Sequence, residues 1–169
     1  MRPPPGSVIV LLWFIGCSAL IVWNVFRDPG IDYRVLAVGS LLPDAIDVFT
    51  GHRVAHAVLV SISVLVVLML ATIGRRALRK RLLMLPIGML LHLILDGIFD
   101  STRTFWWPLT GTKPVAGGLP SLSRGAVIPV VLEVIGGLVL AWFWRRFKLG
   151  EPTNRSAFLA TGRLPAAPT

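Results

Sequence analysis

The sequence predicts an all-α fold: an integral membrane bundle of about four transmembrane helices plus one short, broken or re-entrant helix. The chain is 54% hydrophobic with a mean hydropathy of +0.75, whereas soluble domains are about 45–50% apolar. Its apolar residues form runs close to the roughly twenty residues that a spanning helix needs. Its basic residues cluster beside those runs, which is typical of the cytoplasmic ends of spanning helices.

The formal net charge of +9 would also suit a nucleic-acid-binding protein. That class is excluded by the placement of the charge, because no basic groove interleaved with aromatic residues is present. The cations lie instead at 75–81 and 145–148, next to apolar runs. We therefore expect membrane lipid as a partner and no nucleic acid. The single cysteine, Cys17, excludes an intrachain disulfide and is expected to be a packing residue.

Four spans are predicted near residues 8–26, 54–74, 82–99 and 126–144. The first ends before Pro29 and Gly30, which oppose helix continuation. The second ends at Gly74, just before the basic run. The last contains the small pair Gly136-Gly137, which favours close packing of membrane helices.

Residues 33–50 are apolar but are interrupted by Gly39, Ser40 and Pro43. Proline disfavours helical geometry in the preceding residue, so a helix is expected to restart near Pro43. Asp44 and Asp47 would then lie in a first turn, where the helix dipole favours negative charge. Broken backbone at membrane depth needs protein or a cavity around it. We therefore predict a short element that does not cross the bilayer.

Residues 1–148 are predicted to form one transmembrane domain, with an outer loop at 100–125 and a disordered cytoplasmic tail at 149–169. The positive-inside bias places the 75–81 run in the cytoplasm. With 33–50 not crossing, this multi-pass protein of the cell membrane has both termini in the cytoplasm. The same topology brings His56, His92 and Asp96 to one depth on the outer side.

The ionisable residues within the apolar runs fall into pairs at helical spacing. Asp44 and Asp47 are three residues apart, His52 and His56 are four apart, and so are His92 and Asp96. Each pair therefore shares a helix face. A charged group at the centre of a membrane helix costs about 2.5–3.5 kcal/mol on insertion scales, so such groups usually have a function.

Imidazole nitrogens and carboxylate oxygens are ligands for Zn, Mn or Fe, and a thiolate site is impossible with one cysteine. We predict a divalent transition metal with Asp44, His56, His92 and Asp96 as its ligands, and zinc is the preferred candidate. Asp47 and His52 are predicted as catalytic or auxiliary residues, with Asp47 as a candidate general base, and Glu133 is a further candidate for the site. The alternative is a buried polar network without a metal.

Four motifs resemble those of the YdjM-like family of membrane-bound metal-dependent hydrolases. They are Leu-Pro-Asp-Ala-Ile-Asp at 42–47, Gly-His-Arg-Val-Ala-His-Ala at 51–57, His-Leu-Ile-Leu-Asp at 92–96 and Trp-Pro at 107–108. The resemblance covers residues 39–108 and implies a metal-dependent hydrolase in the membrane. A site in the lipid phase suggests a lipid-like, amphiphilic phosphate or ester as substrate. Two alternatives remain open: a transporter of protons or divalent cations, and a non-catalytic assembly factor that binds a partner through the 100–125 loop.

Overall fold

A computed structural model describes residues 10–97, 101–113, 115 and 127–165, and these residues form helices and turns with no extended strand. The all-α class is thus confirmed. The helices in chain order are α1 (Leu12–Phe26), α2 (Tyr33–Thr50), α3 (Val58–Ala71), α4 (Arg76–Leu82), α5 (Met84–Asp96), α6 (Thr102–Phe105), α7 (Val127–Arg146) and α8 (Pro152–Thr161).

The longer helices run between two chemically different ends of the bundle. At one end, called the basic end, Asp28 and Asp32 pair with Lys80 and Arg81. At the other, called the cluster end, the side chains of His56, which precedes α3, and His92 of α5 converge on Asp44 of α2. Helices α2 and α5 both begin at the basic end, and α1 and α7 both begin at the cluster end.

Glycines allow the paired helices to approach closely. A Cβ atom on Gly39 of α2 would lie 2.2 Å from the carbonyl oxygen of Leu85, and one on Gly88 of α5 would lie 2.6 Å from that of Leu36. Between α1 and α7, a Cβ atom on Gly136 would lie 2.2 Å from the backbone of Leu12. The close packing expected at Gly136 is therefore present. Such small-residue contacts are common between membrane helices.

Helix α2 corrects the prediction of a broken element at 33–50. It is continuous over 18 residues, with Pro43 inside it. The Asp32 side chain caps its start by accepting from the N–H groups of Arg34 and Val35. Proline removes one helical hydrogen bond, and here the packing of α2 along α5 offsets that cost. Asp44 therefore lies near the C-terminal end of the helix rather than in a first turn, and the helix dipole does not favour its charge.

The chain beyond residue 148 also differs from the disorder predicted for 149–169. Residues Pro152–Thr161 form a helix with proline in its first turn, and Gly162 ends it at φ 72°. The N–H of Tyr33 donates to the carbonyl of Gly162 at 2.8 Å. Phe158 and Leu164 pack on the apolar core at the basic end. Composition did not reveal this helix because its packing partners come from the distant start of α2.

Helix α7 is the one helix in the described ranges that is long and apolar enough to cross a membrane. Only 17% of its apolar window is buried, so its side chains mostly face outward. Helices α1 and α3 are apolar but shorter, with 15 and 14 residues. The predicted 82–99 span becomes α5 alone, of 13 residues, and most of the basic 75–81 run forms α4. Part of the predicted 100–125 loop lies outside the described residues, and α6 forms within the remainder.

Candidate metal centre

Three side chains from separate parts of the chain meet at the cluster end. The Nε2 atoms of His56 and His92 are 3.3 Å apart. Asp44 Oδ1 lies 3.5 Å from the first and 3.4 Å from the second. Both imidazoles are 0% exposed and Asp44 is 6% exposed. These three residues form a group that could hold a metal ion, with all three ligand atoms within 4.8 Å of one another.

The other ring nitrogen of each histidine, Nδ1, contacts an oxygen atom. His56 Nδ1 is 2.6 Å from Asp47 Oδ2, and His92 Nδ1 is 2.7 Å from the backbone carbonyl oxygen of Ser40. Both partners are acceptors, so both Nδ1 atoms must carry hydrogen. In neutral imidazoles the two Nε2 atoms then present lone pairs to each other and to the carboxylate of Asp44. Three acceptors facing one another repel unless a cation lies between them.

Asp47 acts on this cluster through His56. Its Oδ2 accepts from the His56 ring, and its Oδ1 accepts the N–H of Ala55 at 2.8 Å. A carboxylate that holds the far nitrogen of a metal-binding histidine fixes the ring orientation and raises its basicity. Because both oxygens of Asp47 are so engaged, the geometry suits this positioning role better than the predicted role of general base.

Asp96 lies at the edge of the same cluster. Its Oδ2 is 3.8 Å from His56 Nε2, and the residue is 1% exposed. The second oxygen of Asp44, Oδ2, is buried and has no hydrogen-bond partner among the described residues. Three carboxylates, those of Asp44, Asp47 and Asp96, are thus buried around two imidazoles. Burial of charge is costly unless it is neutralised, and a divalent cation at the shared point would offset most of it.

Two predicted candidates lie outside the cluster. His52 is exposed, and its Nδ1 contacts the carbonyl oxygen of Thr50 at 2.8 Å. Glu133 accepts from the backbone N–H groups of Leu11 and Leu12, with the second contact at 2.9 Å. It therefore satisfies donors at the start of α1, which no helical carbonyl can reach, instead of joining the metal ligands.

Two contacts of His92 were not predicted from the sequence. The ring of Phe14 stacks on it with centroids 3.9 Å apart and an interplanar angle of 27°. The carbonyl of Ser40 reaches it because α2 and α5 touch at Gly39 and Gly88. Phe14 carries no distinguishing signal within its apolar run. The small pair Gly39-Ser40, interpreted as an interruption, was the available signal for the close approach.

The donor set suits zinc, which is commonly bound by histidine nitrogens and carboxylate oxygens. Three protein ligands with a fourth position open are typical of catalytic zinc sites, whereas structural sites are closed by four. The cluster is thus compatible with a bound metal ion, and its donors do not select one identity among Zn, Mn and Fe. In comparisons with known proteins, no protein-family model, curated protein or solved structure matches the chain.

Proposed function

We propose that the chain is a membrane-bound, metal-dependent hydrolase. Its metal, for which zinc is the preferred candidate, is held by Asp44, His56 and His92. The metal assignment rests on one observation. Two Nε2 lone pairs and a carboxylate oxygen converge within 3.5 Å, and each Nδ1 hydrogen is already donated to another acceptor. The hydrolase assignment rests on the motif resemblance together with this three-ligand set.

Membrane placement is supported by apolar surface that the bundle leaves uncovered. Ser61 is the one buried residue of α3, and α7 buries three residues. Helices α1, α3, α5 and α7 correspond to the four predicted crossings, and α2, which runs parallel to α5, would add a fifth. We place the basic end in the cytoplasm because of its positive charge. The start of α1 then lies outside, which revises the expectation that both termini are cytoplasmic. Helices of 13–15 residues are about 20–23 Å long, so we expect local bilayer thinning around them.

Each residue of the cluster has a separate role in this proposal. A bound metal would polarise a phosphoryl or acyl oxygen and lower the pKa of its water. Asp47 holds the His56 ring so that Nε2 faces the shared point. Asp96, the most distant of the candidate ligands, accepts the proton released by the attacking water. A site at the end of a membrane bundle suits an amphiphilic phosphate or ester.

Elemental analysis of protein purified in detergent without chelators tests the metal assignment. We expect near-stoichiometric transition metal in the native chain and none in His56→Ala or His92→Ala. His52→Ala is the matched control because it removes the one histidine outside the cluster, and it should retain the metal. Equal metal loss in His52→Ala, or no metal in the native chain after reconstitution with Zn²⁺, contradicts the proposal.

A ligand variant could lose metal simply because it fails to fold, so a second measurement is needed. Visible absorption of Co²⁺ added to chelator-treated protein reports nitrogen and oxygen ligation directly. We expect an altered spectrum for His92→Gln at unchanged helicity, and the native spectrum for His52→Ala. A native spectrum in His92→Gln excludes this residue as a ligand.

Hydrolysis is tested by offering metal-loaded protein a panel of lipid phosphates and lipid esters. Asp96→Asn should retain the metal and lose turnover by about 10²–10⁴-fold, the usual contribution of a general base. Metal loss in Asp96→Asn would make Asp96 a ligand instead. Absence of turnover on the whole panel would remove the hydrolase assignment and leave the metal centre in place.

Burial favours one second candidate, the passage of protons or divalent cations. Both imidazoles are 0% exposed, which suits a small ion better than a bulky substrate. Buried His and Asp side chains serve as ion relays in membrane transporters. Zn²⁺ flux into proteoliposomes that is lost in His92→Ala and retained in His52→Ala would favour transport over hydrolysis.

A further inference from the structure

A groove of about 370 Å³ opens at the basic end, at the opposite end of the bundle from the candidate metal centre. It lies where the end of α1 meets α4 and the start of α5. Its apolar wall is formed by Phe26, Ile31, Leu83 and Ile87. Phe26 is 50% exposed, so this wall is open to the surroundings of the bundle.

The rim of the same groove is cationic. Arg76, Arg79 and Lys80 of α4 line it. Lys80 is neutralised by Asp28 at 2.8 Å. Arg76 and Arg79 make no ion pair with any residue in the described ranges. They are three residues apart and share one helix face, so two uncompensated guanidinium groups stand above an apolar wall.

We propose that this groove binds one anionic phospholipid. Arg76 and Arg79 would hold its headgroup phosphate, since guanidinium groups match phosphate geometry, and its acyl chain would lie on Phe26, Leu83 and Ile87. Basic pockets between membrane helices on the cytoplasmic side bind such headgroups. The inference rests on the membrane placement proposed above and is independent of the metal.

Charge and wall chemistry together favour a lipid over a soluble phosphate. A soluble anion needs the cations alone and would leave the apolar wall without a partner. A zwitterionic lipid would cover the wall but would leave two positive charges without an anion. An anionic lipid satisfies both features at once.

Native mass spectrometry of the full chain in detergent, titrated with phosphatidylglycerol, measures this binding. We expect one tightly bound lipid per chain, and binding roughly 30-fold weaker in the double variant Arg76→Gln/Arg79→Gln, because each cation near the membrane surface contributes about fivefold. The matched control is Arg145→Gln/Arg155→Gln, which removes two exposed cations of the same end that do not line the groove. Its affinity should be unchanged.

Further titrations distinguish binding of a lipid from binding of a soluble phosphate. Phe26→Ala should weaken phosphatidylglycerol binding, and glycerol phosphate should not compete at equal concentration. Equal loss in the control pair, equal affinity for phosphatidylcholine, or displacement by glycerol phosphate would each overturn the proposal. Retention of the chain in the aqueous phase without detergent would instead overturn the membrane placement. Helicity measured by circular dichroism, unchanged in all these variants, reports that the bundle remains folded.

Discussion

Both ends of the bundle bury a carboxylate, but only one end neutralises it. At the basic end, Asp32 is 2% exposed and receives the side chains of Arg34 and Arg81 at 3.1 and 2.8 Å. At the cluster end, Asp44 is 6% exposed and faces the Nε2 atoms of His56 and His92. The first carboxylate is surrounded by donors and the second by acceptors.

This difference supports a structural role for the basic end and the proposed metal site at the cluster end. Burial alone would raise the pKa of Asp32, but hydrogen bonds from Arg34 and from two backbone N–H groups lower it below its usual value. Asp32 is therefore ionised and contributes to folding. The cluster around Asp44 gains nothing comparable from its neighbours, and a bound cation, as proposed, would supply the missing neutralisation. A fully paired carboxylate stabilises a fold, whereas an unpaired group of acceptors indicates a ligand.

The largest expected effect comes from replacing Asp44 by Asn. Metal affinity should fall by at least about 100-fold, because one of three ligands loses its charge. In chelator-treated protein the same variant should be about 1–2 kcal/mol more stable than the native chain, since an amide N–H can donate to a histidine nitrogen and a buried charge is removed. Isothermal titration with Zn²⁺ and thermal unfolding with and without chelator measure the two effects.

Asp32→Asn is the matched control for that experiment. It makes the same chemical change at the basic end, where it should leave metal affinity unchanged and lower stability. The two carboxylates would be equivalent if, in chelator-treated protein, Asp44→Asn lowered stability as much as Asp32→Asn does. The proposed contrast between the two ends would then be lost.

The next largest effect tests the helix contact that connects both ends. Gly39→Ala would place a Cβ atom 2.2 Å from the Leu85 carbonyl oxygen, so α2 and α5 must separate. We expect a loss of about 3 kcal/mol, at the upper end of the range for overpacking, together with weaker metal binding because the Ser40 carbonyl moves away from His92. Chemical unfolding and Zn²⁺ titration measure these losses.

Gly137→Ala is the control for the glycine substitution. Its added Cβ would meet only the side chain of Leu12 at 3.6 Å, an ordinary contact. It should therefore have little effect on stability and none on the metal. If Gly39→Ala were equally harmless, the close approach of α2 and α5 would not determine the geometry of the site.

An intermediate effect is expected for Asp47→Ala. Residues that hold the far nitrogen of a metal-binding histidine typically contribute 10–100-fold to metal affinity, and Asp47 does so for His56 at 2.6 Å. The variant should bind zinc in the same stoichiometry but with that loss of affinity. Complete loss of the metal at equal helicity would make Asp47 a direct ligand, and an unchanged affinity would remove its positioning role.

The chemistry of the site was more predictable from the sequence than its backbone. Asp44, His56, His92 and Asp96 could be grouped because imidazoles and carboxylates are rare in apolar helices, and the structure does bring them together. His52 could not be separated from His56 by spacing alone. The exposed position of His52 depends on the turn after Gly51, where the backbone is left-handed with φ 68°.

The course of α2 and the C-terminal helix was not predictable from local signals. Pro43 is a local signal for a helix break, but the contacts that override it lie about fifty residues further along the chain, in α5. The polar composition of 149–169 is similar to that of a disordered tail. Its helix is held by Tyr33 and Arg34, which contact Gly162 and Leu159. Long-range packing decided both cases.

The smallest effect concerns pH at the basic end. The pKa of Asp32 is lowered in the folded chain, so its contribution is present above the unfolded value of about 3.9 and is lost as pH falls through the folded value. We expect Asp32→Asn, which retains a helix-capping side chain, to cost about 1 kcal/mol at pH 7 and nothing at a pH below the folded value. Asp28→Asn, at the exposed pair with Lys80, should cost less than Asp32→Asn at pH 7 because solvent screens that pair. Thermal unfolding of both variants across acidic pH measures this. A constant difference between Asp32→Asn and the native chain would mean that Asp32 contributes as a neutral cap, and the paired carboxylate at this end would no longer explain the contrast with Asp44.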